Sequence, residues 1–120
     1  MTDLEITKLC AEAMDMRVGE FLPEYRGGPL RLRTYPANAT YTVVYNPLHD
    51  DAQAMALVKR LHLSIFIWDT LPTAAGDMPA GWWRVDSQGG YITCRHGDLN
   101  RAICECVAKM QKAKPTPQDT

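Results

Sequence analysis

The sequence has no surplus of positive charge: 13 Lys and Arg stand against 14 Asp and Glu in 120 residues, a formal net charge of −1. Phosphate backbones are held by concentrated basic surface, so general nucleic-acid binding is excluded. Long hydrophobic runs are also lacking, and nothing approaches the roughly 20 apolar residues of a membrane span. The opening Met1-Thr2-Asp3-Leu4-Glu5 is acidic where a signal peptide would be basic and then apolar, so a cytoplasmic protein is expected. Disorder is excluded in turn, because 46% of the residues are apolar and charge is evenly mixed. These bounds leave a single α/β domain over residues 1–114, with a flexible tail at 115–120 where Pro115 and Pro117 end the last helix.

The familiar catalytic signatures are missing as well. There is no G-x-x-x-x-G-K-[ST] or G-x-G-x-x-G loop to cradle phosphate, no G-x-S-x-G elbow and no H-E-x-x-H pair. The three histidines, His49, His62 and His96, stand apart, each without a second ligand at helical or strand spacing. Four cysteines remain: Cys10, Cys94, Cys104 and Cys106. Cys104-Glu105-Cys106 lies in a helical pattern, where residues two apart point about 200° from each other and cannot hold one ion together. No metal, no cofactor and no catalytic residue is therefore expected, and the thiols read as buried and reduced.

What is present is periodicity. Thr2-x-x-Glu5 is a capping box, and Ile6, Leu9, Cys10 and Ala13 follow at helical spacing, which predicts a helix from about Asp3 to Met16. Asp50 or Asp51 caps a second helix with the stripe Ala54, Leu57, Val58 and Leu61. Asp98 caps a third, with Leu99, Ala102, Ile103, Cys106, Val107 and Met110 on one face. Strands are predicted at Leu30–Thr34, Thr40–Tyr45 and Leu63–Trp68, and at Trp82–Asp86 with Tyr91–Arg95 as a hairpin. The stretches Gly19–Pro29 and Asp69–Gly81 read as irregular connections. The expected fold is α+β, a three-layer α/β/α sandwich with one mostly antiparallel sheet covered on both faces, in the order α-β-β-α-β-β-β-α.

Three groups of residues are candidates for ligand binding. Trp82, Arg84 and Tyr91 share the face of the hairpin opposite Trp83 and Val85, and aromatic rings beside an arginine can stack a base or hold an anion. The alternative is that the adjacent tryptophans are core. Arg31 and Arg33 share one strand face and could meet phosphate, although alternating arginines also protect an edge strand. His49 enters a helix amino terminus, where free amides attract anions, but Asp50 and Asp51 compete for the same amides. An acid/base pair of His49 with either aspartate is the enzymatic alternative.

The segments Tyr45-Asn46-Pro47-Leu48-His49-Asp50-Asp51, Ala52 to Leu61, Gly81-Trp82-Trp83-Arg84-Val85 and Asn100-Arg101-Ala102-Ile103-Cys104 resemble the phage ABA sandwich domain family, small proteins of tailed phages and prophages. The resemblance covers about the last two thirds of the chain and departs from the pattern at 70–80 and at Cys104-Glu105-Cys106. It implies an α/β/α arrangement, a phage or prophage origin and a place of work in the infected bacterial cytoplasm, with no catalytic residues to carry over. Two functions are then expected. One is non-catalytic binding or sequestration of a nucleotide-like small molecule, with Trp82, Arg84, Tyr91, Arg31, Arg33 and His49 as binding residues and a homo-oligomer sharing the pocket. The other is an interaction accessory that meets a host or phage protein through a helix face or the 70–80 loop.

Overall fold

A computed structural model of the chain describes residues 1–22, 31–35, 43–68 and 82–113. The fold is α+β, with elements α1 (Asp3–Ala13), β1 (Arg17–Leu22), β2 (Arg31–Tyr35), β3 (Val43–Tyr45), α2 (Asp51–Leu61), β4 (Ser64–Trp68), β5 (Trp82–Asp86), β6 (Thr93–His96) and α3 (Leu99–Ala113). The order is the expected one with an additional strand, β1. The 69–81 connection and the 115–120 tail lie outside the described residues.

All three helices start on the side chains that the sequence offers. Thr2 Oγ1 accepts from the Glu5 amide at 3.1 Å, Asp50 Oδ1 from Gln53 at 2.9 Å and Asp98 Oδ1 from Asn100 at 3.0 Å. Each satisfies an amide that the first helical turn leaves without an intrahelical acceptor. Their ends were harder to read. α1 stops at Ala13, short of the expected Met16, because Asp15 turns left-handed at φ 62° and the Met16 amide donates back to Ala11 O at 3.0 Å. α2 closes the same way at His62, φ 54°, with the Leu63 amide on Val58 O at 3.1 Å. Glycine normally occupies this left-handed position, and neither stop carries one.

The strands form two antiparallel three-stranded sheets, β1-β2-β3 and β4-β5-β6, where a single sheet was expected. β1 was missed because its side chains do not alternate. Between Val18 and Phe21 the register slips, so that Gly19 and Glu20 oppose Arg33 alone, a bulge that breaks the period of two. A Cβ at Gly19 would collide with the Tyr35 ring and lie 3.0 Å from Arg33 O, so the bulge needs a residue without a side chain. β2 runs one residue later than expected, and β6 covers Thr93–His96 because Ser87 to Ile92 make the turn: the Ser87 amide donates to Ile92 O at 2.8 Å and the Ile92 amide to Ser87 Oγ at 3.0 Å. Gly89 and Gly90, at φ 86° and 76°, take its left-handed positions.

The core gathers around α3, whose Ala102, Ile103, Cys104, Cys106, Val107 and Ala108 are all fully buried. This helix packs against α1, α2, β5 and β6. Ile6, Cys10, Ala11, Leu57, Val85 and Cys94 complete the cluster, with Trp83 and Ile65 packed against it. Arg101 ties α3 to α1 through Asp3 at 2.9 Å, and Lys112 does so through Glu5 at 3.0 Å. Gln53 fastens β3 to α2 by accepting from the Asn46 amide and donating to Val44 O. Helices were expected on both faces of the sheet; among the described residues only one face of the second sheet has one. Phe66 and Trp82, on the face of the second sheet away from α3, are 42% and 37% exposed.

Two outcomes follow for stability. His62→Gly should raise it by about 1 kcal/mol, since glycine adopts the left-handed C-cap position without the Cβ penalty. Gly19→Ala should lower it by about 1–3 kcal/mol, since either the bulge or the Tyr35 ring must move. Urea unfolding with a common slope for wild type and variants measures both.

Candidate functional site

The outer face of the β4-β5-β6 sheet brings together more binding chemistry than any other described surface. Strand pairing sets Phe66 opposite Arg84 and Arg84 opposite Arg95, so these three side chains form one row across the sheet. The Arg84 guanidinium lies over the Phe66 ring, 4.4 Å from its centroid. At the end of β5 the Trp82 indole stacks on His96, with centroids 5.9 Å apart and planes 24° apart. Nδ1 of His96 accepts the Asp98 amide at 2.9 Å, which holds the imidazole by one nitrogen while its face meets the indole. Gly97 lets the indole come close: a Cβ there would sit 3.3 Å from Trp82 Nε1.

The electrostatics of this face are unbalanced. Arg84 reaches Asp86 at 3.4 Å, and Asp86 also accepts from Thr93 Oγ1 at 2.9 Å. Arg95, exposed and directly across from Arg84, makes no ion pair among the described residues. Two guanidiniums facing each other across a strand pair repel, and an anion between them would relieve that repulsion. Nε of Arg84 is buried and has no hydrogen-bond partner among the described residues.

The residues proposed from sequence do not form one site. Trp82 and Arg84 share the outer face as expected. Tyr91 does not join them: it sits in the hairpin turn, 91% exposed, beyond Asp86 and about 13 Å along the strand from the Trp82 end. Arg31 and Arg33 belong to β2 in the other sheet. Arg33 is half-buried opposite Val44, and the side chain of Arg31 lies outside the described residues. His49 is exposed in the turn before α2, where Asp50 already accepts from Gln53 and Asp51 from Asn100 Nδ2 at 2.7 Å. Phe66, Arg95 and His96 were not among the sequence candidates: β4 is nearly continuously apolar, so nothing in its pattern separates Phe66 from its neighbours, and Ile67 is itself 51% exposed.

The first sheet carries a smaller relative of this arrangement. Arg17 stands 5.8 Å from the centroid of the Tyr35 ring, and the two line a shallow depression of about 270 Å³ with Val18. Among the described residues it offers one ring, so the β4-β5-β6 face is the stronger candidate.

Comparison with family models, with curated proteins and with solved structures finds no match to this chain.

The opposed guanidiniums make a prediction that needs no ligand. Arg95→Thr should stabilise the protein by about 0.5 kcal/mol at low salt, by removing the repulsion and adding a β-branched residue, and the gain should shrink as salt screens the pair. Thermal unfolding at two ionic strengths reads both.

Proposed function

We propose that the outer face of the β4-β5-β6 sheet binds an anionic, planar small molecule of the nucleotide class and holds it without converting it. The observation that carries this reading is the exposed Trp82 ring, backed by His96, beside the cross-strand pair Arg84 and Arg95. Stacking a base on an indole contributes about 1–3 kcal/mol and tolerates any base, while guanidiniums supply bidentate donors for phosphate oxygens. An open sheet covers only one side of a planar ring, whereas small-ligand sites bury most of the ligand surface. A second copy of the chain, closing over the platform as a homo-oligomer, supplies the missing cover. Taken with the resemblance to small phage proteins, the reading is that of a phage or prophage accessory protein which sequesters a nucleotide-like signal in the host cytoplasm.

Isothermal calorimetry with adenosine diphosphate, adenosine diphosphate ribose and cyclic dinucleotides tests it. At least one should bind saturably, and Trp82→Ala should weaken that binding about tenfold or more. Tyr91→Ala and His49→Ala should leave it unchanged. Absence of saturable binding by every compound overturns the proposal and leaves the interaction accessory, with a host or phage protein as partner, as the reading to pursue.

A further inference from the structure

The edge of a sheet is a row of unpaired amides and carbonyls, and the two sheets have four such edges. Three of them resist a further strand. β1 carries the bulge at Gly19 and Glu20, which bends its edge out of line. β3 is three residues long, and Gln53 of α2 takes up its Val44 carbonyl at 3.0 Å. β6 is four residues long and carries the charge of Arg95. β4 is the exception. Ser64–Trp68 contains no charge, proline or glycine, and it pairs with β5 through five consecutive residues without a slip. Among the described residues no strand pairs with its other edge. The register with β5 sets Ile65 and Ile67 across from Val85 and Trp83 on the core side and Phe66 across from Arg84 on the outer side, and both Phe66 and Ile67 are exposed. An edge strand that is apolar on both faces and unprotected along its backbone is a site for pairing.

We propose that β4 pairs antiparallel with β4 of a second copy of the chain, joining two β4-β5-β6 sheets into one sheet of six strands. The strand's own order of side chains identifies the occupant. A two-fold axis at Phe66 sets Phe66 beside its counterpart on the outer face, and sets Ile67 beside the second copy's Ile65 on the core side. Ile65 is packed against the core, so the exposed Ile67 gains an apolar neighbour at the margin of the other copy's core. No charge faces another across the new pair, whereas a strand that alternated apolar with charged residues would leave Phe66 or Ile67 beside a charge. The assembly stops at two, because the edges left free are the two β6 strands with Arg95. Five residues span about 17 Å, a smaller contact than a standard interface, so the dimer depends on concentration. This inference does not rest on the ligand reading: both outer faces lie on one side of the joined sheet, and the copy that closes over the platform makes a different contact.

Sedimentation equilibrium of the ligand-free protein from about 1 μM to about 1 mM should show the mass rising from the 13.5 kDa of one chain toward twice that value. Hydrogen exchange at both ends of this range should slow, as concentration rises, at the amides of Ser64–Trp68 that point away from β5, and should stay unchanged at Val43–Tyr45. Ile67→Lys sets an ammonium group beside the second copy's Ile65 and should keep the protein monomeric throughout. Val44→Lys, at an exposed apolar position on the edge that Gln53 covers, should leave the association as it is. A monomer at every concentration overturns the proposal, as does a dimer that survives Ile67→Lys. A dimer whose β4 exchange does not change with concentration also overturns it, and that readout uses the wild-type chain, so it stands even where the lysine variant fails to fold.

Discussion

Everything in this fold is arranged around the burial of α3 on more than one side. Residues 102, 103, 104, 106, 107 and 108 are all fully buried, and at about 100° per residue they span well over half the helix circumference. A helix buried so widely has to meet α1 and α2 on one flank and β5 and β6 on another. Close packing of helices favours small side chains, which is why alanine and cysteine dominate the buried surface and long aliphatics are few. The polar remainder of α3 is used at its margins, where Arg101 and Lys112 reach Asp3 and Glu5. Those pairs are partly exposed and screened by solvent, so they orient α1 more than they hold it.

This central position of α3 decides where binding chemistry can go. Because α1 and α2 both pack on α3, the second sheet meets helix by one face, and among the described residues no helix lies on its other face. A sheet face that no helix covers is ordinarily polar, yet this one carries exposed Phe66 and Trp82 beside two arginines, with Phe66, Arg84 and Arg95 in one cross-strand row. Aromatic residues exposed beside like charges destabilise a free protein slightly, and that departure from what folding alone favours is the physical reason for assigning the face to binding.

How much of this was readable depends on whether the signal is local. Helix starts are local: a side-chain oxygen and an amide two or three residues on, and Thr2, Asp50 and Asp98 were all identifiable. Helix stops at Asp15 and His62 were not, since a non-glycine residue in the left-handed region is selected by the closing hydrogen bonds and carries no compositional mark. β1 was hidden by its bulge, which destroys the alternation that betrays a strand. The division into two sheets depends on which strands pair at long range, and no periodicity reports that. Trp82 and Arg84 were placed on a common face because alternation along one strand is local, whereas grouping them with Arg33 required a sheet that the chain does not form.

The two-residue spacing of Cys104 and Cys106 shows how one local constraint reaches the packing of the core. On a helix it forbids a shared metal ion, and for the same geometric reason the two positions meet different neighbours: Cys10 of α1 donates to the Cys104 carbonyl at 3.5 Å, and the Cys106 thiol donates to Ile92 O beside β6 at 3.9 Å. The first neighbour is deep among apolar groups, where a thiol stays protonated and serves as packing. The second neighbour is the edge strand β6, against which Cys106 is fully buried. The separation works only because α3 is wide enough in its burial to present a different environment on each side.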